Sequence, residues 1–269
     1  MYKRILTIQD ISCVGQCSLT VALPIISACG HETAILPSAV LSTHTAGFTG
    51  YTFRDLTDDI PAIKDHWVKE NLKFDAIYTG YLGSTEQIDM IKDIFEAFKG
   101  AKRVVDPAMA DNGKLYPAFD DNYVKAMAVL CKEADILLPN ITEACLLTGY
   151  EYKEKYDEKY IDGLLQALKD AGMKDIVLTG VSYNDDHTGV VVYEGGYKEY
   201  YSHKKISKGC HGTGDVYASA FVGKLMNGVR LIDAAKSAAD FVVDCIEYTQ
   251  ANVPDHTYGV AFEPVLKTL

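Results

Sequence analysis

The chain has 269 residues, ordinary proportions of apolar and charged side chains, and a formal net charge of −11. That length allows one large α/β domain with a sizeable core and does not require a second. The acidic balance argues against a general nucleic-acid or anionic-membrane surface, so a polyanion site would have to be locally positive, built from helix N-termini and cations such as Lys204, Lys205 and Lys208.

The N-terminal stretch carries basic residues, but Gln9 and Asp10 interrupt its apolar run. It reads as a first strand over Arg4 to Ile8, not as a signal peptide. Ser18 to Cys29 reads as a helix ended near Gly30, with Pro24 as a candidate kink; its apolar run is too short to span a membrane. Thr33 to Pro37 is a short strand, and Asp59 to Leu72 a helix that tolerates Pro61 in its first turn. Ala76 to Thr79 is a buried strand ending in Gly80. Thr85 to Phe98 is an amphipathic helix with Ile88, Ile91, Ile94, Phe95 and Phe98 on one face. Arg103 to Val105 is a strand that ends in Asp106-Pro107. Asn122 to Lys132 is a helix, and Asp135 to Leu138 a strand that ends in Pro139-Asn140. Thr142 to Leu147 and Asp157 to Ala171 are helices, and Asp175 to Leu178 is a strand ending in Thr179-Gly180. Val190 to Tyr193 and Lys198 to Tyr201 form an antiparallel hairpin around Gly195-Gly196. Two helices close the chain, Asp215 to Met226 and Leu231 to Tyr248. The βαβ alternation predicts an α/β fold over residues 1–269: a mostly parallel central sheet, helices on both faces and a late antiparallel hairpin. The seven cysteines are scattered with no C-x-x-C pair, which fits a reducing cytoplasm and no structural zinc.

The densest chemical signal is Lys208-Gly209-Cys210-His211-Gly212-Thr213-Gly214-Asp215, followed by a small-residue helix. Glycines let a backbone approach a ligand closely, and the first amides of a helix form an anion site. An aspartate in that turn can take a proton from an attacking hydroxyl. Anion cradle plus base is the equipment for moving a γ-phosphoryl group onto an alcohol. The plain alternative is a helix N-terminus with an ordinary capping aspartate. The segment is neither a Walker A loop, since no Gly-Lys-Ser/Thr follows, nor a dinucleotide fingerprint.

Ligands of open parallel sheets bind beyond the carboxyl ends of the strands. Here those ends carry Asp10, Thr79-Gly80-Tyr81, Asp106, Asn140-Ile141-Thr142-Glu143 and Thr179-Gly180. Asn140-x-x-Glu143 reads as a helix capping arrangement or as part of a hard-cation site, with Glu143 and Asp106 holding Mg²⁺ through water. Leu41 to Tyr51, rich in hydroxyls, glycine and aromatics, suits either a cover over a small ring or a surface turn. His44 within it either meets the substrate or bonds within the loop.

Taken together, these motifs resemble the pyridoxal/pyridoxine/pyridoxamine kinases of the ribokinase-like superfamily. The resemblance spans nearly the whole chain: Ile8-Gln9-Asp10 with Gly15, Ser38 to Thr45, Thr79-Gly80-Tyr81, Asp106 to Asp111, Pro139 to Ala144, and Gly212 to Asp215. It implies a three-layer α/β/α sandwich and ATP-dependent phosphorylation of the 5′-hydroxymethyl group of a B6 vitamer. By matching positions, Asp215 is the base, and the amides of Gly212, Thr213 and Gly214 form the anion hole. Asp106, Asn140 and Glu143 would serve Mg-ATP, with Asp111, Thr179 and Gly180 nearby, and K⁺ is a further candidate cation. The ring would lie against Tyr81, near Ser38 and His44, with Asp10 at its polar edge, and such enzymes are commonly homodimers. Many relatives carry serine in place of Asp10, the following glycine loop is about three residues shorter here, and Ala110 stands where glycine is common. The rival readings are a hydroxymethylpyrimidine kinase, although many of those end the same motif in cysteine, and a catalytically idle B6-binding protein.

Overall fold

A computed structural model of the chain describes residues 2–206 and 211–269. In chain order the first half contains β1 (Arg4–Ser12), α1 (Leu19–Ala28), β2 (Glu32–Leu41), β3 (Phe53–Asp55), α2 (Ile60–Lys69), β4 (Ala76–Thr79), α3 (Thr85–Ala97), β5 (Lys102–Val105) and a two-stranded ribbon, β6 (Ala110–Asp111) with β7 (Lys114–Leu115). The second half contains α4 (Asp121–Glu133), β8 (Ile136–Leu137), α5 (Ile141–Thr148), α6 (Glu158–Asp170), β9 (Asp175–Val181), β10 (His187–Glu194), β11 (Tyr197–Lys204), α7 (Thr213–Met226), α8 (Leu231–Asn252) and a 3₁₀ segment (Glu263–Thr268).

Nine strands form one sheet in the order β11-β10-β9-β8-β5-β4-β1-β2-β3. The six central strands, β9 to β2, run parallel; β3 runs against them on one edge, and on the other β10 is antiparallel to both β9 and β11. Alternate residues of each strand feed opposite faces, as the period of two requires. Leu6, Ile8, Ile77, Val105, Leu137 and Leu178 pack in one core beneath α3, α4, α5 and α6. Ile5, Ala76, Tyr78, Val104, Ile136 and Val177 pack in the other beneath α1, α7 and α8. The result is a three-layer α/β/α fold. The parallel strands read as almost unbroken apolar runs because both faces are covered. β1 is followed by a helix on one face and its neighbour β4 by a helix on the other, so the crevice between their carboxyl ends is a topological switch point.

The helices start where the sequence offers caps. Ser84 accepts from the Gln87 amide, Asp120 from those of Asn122 and Tyr123, and Asp157 from that of Tyr160. α7 is buried nearly all round, and its run of Ala218, Ser219, Ala220 and Gly223 lets it sit close against α1, where a Cβ at Gly223 would meet Cys29. Pro24 lies inside α1 without ending it. Among the described residues no helix is long and apolar enough to cross a membrane.

Several elements run further than local patterning predicts. β1 continues through Asp10 to Ser12, because Ile11 and Ser12 pair with Val40 and Leu41 after a register shift between Gln9 and Ile11. β2 therefore extends through Pro37 to Leu41 and includes Ser38. β9 runs past Thr179 and Gly180 because Thr179 and Val181 pair with β10. Strand pairing made across the sheet, not local propensity, sets these ends.

Phe221 of α7 is fully buried in the α1/α7/α8 core. Phe221→Ala is expected to lower the unfolding free energy by about 3–5 kcal/mol. The check is a fall in the urea midpoint at unchanged m-value.

Candidate active site

Asp215 lies in the first turn of α7, after Gly212, which takes the left-handed φ of 74°. A side chain at Gly212 would also run into the Gln16 carbonyl oxygen, so only glycine fits the turn. Asp215 Oδ2 accepts the main-chain N–H of Ser18 at 3.0 Å. Burial, outweighing that donor and reinforced by the negative charge of Asp10, pushes the Asp215 carboxyl up to about 6.

Asp10 sits at the register shift between β1 and β2, with two residues of β2, Ser38 and Ala39, opposite it. It is almost fully buried. Its Oδ1 accepts the Ser18 hydroxyl at 2.6 Å and its Oδ2 the Ser12 hydroxyl at 3.0 Å. Burial raises this carboxyl above the ordinary range, and the two hydroxyls hold it back. Ser18 thus bonds to both carboxylates. It does so from φ 55° and ψ −133°, a conformation that costs a non-glycine residue about 1–3 kcal/mol.

A second acidic group gathers one strand-end away. Asp106 follows β5, and its Oδ1 accepts the N–H of Ala108 at 3.0 Å, with Ala108 itself at φ 29°. Glu143 is buried and has both oxygens in use: Oε1 accepts from Met109 N–H at 3.0 Å and Oε2 from Asn140 N–H at 2.9 Å. Asn140 Oδ1 accepts the Glu143 amide at 2.9 Å, completing a capping box on α5, while Asn140 Nδ2 donates to the Ala110 carbonyl at 2.8 Å. Burial pushes Glu143 up to about 7, and burial with the charges of Glu143 and Asp215 holds Asp106 well above the usual carboxylate range. No cluster of three or more metal-ligating side chains occurs among the described residues. Mutually repelling carboxylates, too few to form a cage, fit an ion such as Mg²⁺ that keeps most of its waters and shares the rest with phosphates.

Next to this group is a groove of about 480 Å³, lined in part by Asp111, Asn140, Thr142, Thr179, Gly180 and Lys205. Asp111 is exposed and bonds Asn112 N–H at 2.8 Å. Thr179 N–H donates to the Pro139 carbonyl at 2.9 Å and Gly180 takes φ 72°, which brings β9 against the start of α5. Lys205 is exposed on the groove wall, Lys204 is exposed at the end of β11, and Lys208 and Cys210 lie outside the described residues.

Around Asp10 is an aromatic and hydroxyl-rich wall. Tyr81 is half-buried against Phe119, ring centroids 5.4 Å apart, and burial with the charge of Asp10 raises its hydroxyl to about 12. Ser38 is fully enclosed in β2, its Oγ without a protein partner. His44 is buried. Its Nε2 lies 2.9 Å from the Tyr258 carbonyl, so that nitrogen carries the proton, and Nδ1 has no protein partner. A Cβ at Gly15, at φ 117°, would collide with the His44 ring. The Tyr258 carbonyl also accepts the Gln16 N–H at 3.2 Å, so one C-terminal oxygen ties down both loops. His211 stands 6.2 Å from His44, ring to ring, and is exposed.

The fold brings Asp10, Tyr81, Asp106, Asn140, Glu143 and Asp215 to the carboxyl end of the parallel strands. Residues that sequence reasoning passed over are Ser12, Ser18, Gln16 and Tyr258. Ser12 was open to discovery, two positions after Asp10 on one strand, but nothing local marks Ser18 or Tyr258.

The profile of the family described as phosphomethylpyrimidine kinase matches residues 26–260. Among solved structures, a candidate phosphomethylpyrimidine kinase from Bacteroides thetaiotaomicron is 37% identical, with a TM-score of 0.94 over 98% of this chain and 92% of that one. A second crystal form of the same description, with pyridoxal, superposes at a TM-score of 0.92 over 98% of this chain and 94% of that one. A pyridoxal kinase from Lactobacillus plantarum is 34% identical, with a TM-score of 0.92 over 98% of this chain and 95% of that one. The Bacillus subtilis hydroxymethylpyrimidine/phosphomethylpyrimidine kinase is 27% identical over 79% of this chain and 77% of its own length. The chain spans about half of a further relative, the bifunctional thiamine biosynthetic enzyme of Arabidopsis thaliana (51% of its length).

The capping box carries its own test. In Glu143→Gln an amide NH₂ would face one main-chain N–H, and the loss in urea unfolding is expected to be about 1–3 kcal/mol.

Proposed function

The chain belongs to the phosphomethylpyrimidine kinase family, which makes it an ATP-using phosphotransferase, and we propose that its acceptor is the 5′-hydroxymethyl group of a B6 vitamer. The observation that carries this reading is the carboxylate of Asp215, raised to about 6 at the start of α7 and held by the Ser18 amide beside the charge of Asp10. A general base works best with a pKa near the operating pH. In this reading Asp215 takes the proton of the acceptor hydroxyl as its oxygen bonds to the γ-phosphorus and the bond to the β,γ-bridging oxygen breaks, releasing ADP. The amides of Gly212, Thr213 and Gly214 donate to the oxygens of the transferred group. Asn140, Thr179, Gly180 and Asp111 border the nucleotide. Asp106 and Glu143 would hold Mg²⁺ through water, and the ion supplies charge neutralisation when bound. Asp10, Tyr81 and His44 face the ring, with Ser38 behind it. One kinase domain over residues 1–269, working in the cytoplasm as a homodimer, belongs to the same reading.

Hydroxymethylpyrimidine is the second acceptor in view, favoured by the family description and the Bacillus subtilis relative. Two observations support a B6 vitamer: the pyridoxal present in one Bacteroides thetaiotaomicron crystal form and the name of the Lactobacillus plantarum enzyme. The deciding assay couples ADP release to pyridoxal, pyridoxine, pyridoxamine and hydroxymethylpyrimidine in parallel. The highest kcat/KM is expected for a B6 vitamer. Turnover confined to hydroxymethylpyrimidine would reject the proposed acceptor, and no turnover with any of the four would favour an idle binding protein.

Asp215→Asn is expected to keep ATP binding and to lose about 10²–10⁴-fold in kcat. Because the ionised carboxylate is the active form, kcat of the unmodified protein should fall as pH drops through about 6. Near-normal turnover in Asp215→Asn would remove that residue from the mechanism. In Glu143→Gln, a Mg²⁺ requirement raised more than the vitamer KM marks a cation role beyond the capping box.

A further inference from the structure

We propose that Ser18 is a positioning residue that joins Asp215 and Asp10 into one hydrogen-bonded unit, its hydroxyl keeping Asp10 ionised beside the base. The inference rests on the reading of Asp215 as the base. Its geometric ground is the double donation: the main-chain N–H of Ser18 to Asp215 Oδ2 at 3.0 Å, and its hydroxyl to Asp10 Oδ1 at 2.6 Å. The backbone supplies the second argument. At φ 55° and ψ −133° glycine would be at ease, yet the chain places a serine there. What serine adds over glycine is the hydroxyl, and that hydroxyl goes to Asp10.

The unit lies among other titratable groups. Charges that reach Asp215 or are reached by it come from Asp10 on β1, Cys17 beside Ser18, Tyr78 on β4, Asp106 after β5 and Tyr116 after β7. Asp10 faces His44, Tyr81 and Cys17 in turn. An acceptor ring that bonds Asp10 in place of the Ser18 hydroxyl changes the charge beside the base. Occupancy of the ring site and readiness of Asp215 are thereby linked.

Ser18→Gly separates the hydroxyl from the backbone donor, since glycine suits the left-handed turn. Asp10 and Asp215 are followed in the ligand-free protein by ¹³C NMR of their carboxyl carbons, assigned by loss of signal in Asp10→Asn and Asp215→Asn. Without the hydroxyl, Asp10 should ionise at higher pH. Asp215, relieved of a charged neighbour over more of the range, should ionise at lower pH, by roughly half a unit to one unit. The acid limb of kcat with pyridoxal and Mg-ATP should move the same way, and the melting temperature should hold or rise. Ser18→Thr, which keeps a hydroxyl, should titrate as the unmodified protein does.

A folded Ser18→Gly protein in which Asp215 titrates unchanged overturns the inference. If that variant does not fold, Ser18→Ala takes its place in the same titration. Failure of both to fold also overturns the inference, because the hydroxyl would then be structural. The titration is independent of turnover. An active Asp215→Asn would sink the base assignment, while an unmoved titration would sink only the role of Ser18.

Discussion

The constraint on which this site depends is electrostatic: the fold draws Asp10, Asp106, Glu143 and Asp215 together at one end of the sheet, where water is scarce. Each carboxylate loses hydration, and each raises the cost of ionising another. The protein meets that cost unevenly. Glu143 receives main-chain donors on both oxygens, Asp10 receives two hydroxyls, and Asp215 receives one amide. Asp106 has a single amide, and the charges of Glu143 and Asp215 add to the effect of its burial. The gradient runs from a carboxylate with a main-chain donor on each oxygen to carboxylates with a single main-chain donor.

Backbone geometry is subordinate to that arrangement. Asp10 stands at the register shift between β1 and β2, the left-handed Ser18 reaches both aspartates, and the left-handed Gly212 turns the chain into α7 so that Asp215 meets the Ser18 amide. Close approaches enforce the same choices. Gly15 leaves room for the His44 ring and Gly212 for the Gln16 carbonyl. Irregular backbone is concentrated at the switch point of the sheet, where the parallel strands leave a crevice, and the layers beneath are regular.

The layers were legible because their signals are local. Apolar periodicity marks α3, the buried runs mark β1 and β4, and Asp120 and Asp157 mark the starts of α4 and α6. The turn into Asp215 was legible for the same reason, since glycines followed by a small-residue helix announce themselves in a few positions. What escaped depends on pairing at a distance. The extension of β1 past Asp10 exists only because β2 offers Val40 and Leu41, and β3 is three exposed residues held by that same strand. Ser18 has no local signature, because its conformation is imposed by partners 8 and 197 positions away. Asn140-x-x-Glu143 was legible as two alternatives, and the capping box formed in this structure satisfies one while leaving acceptor capacity for the other.

The double use of the Tyr258 carbonyl has a consequence for how the molecule is made. That oxygen holds His44 and Gln16, and it is translated 214 positions after His44. The central strands and the α3 to α6 layer can assemble while the chain is still emerging. The rim that carries His44 and Gln16 can be latched only after Tyr258 has been translated, long after the strands beneath it.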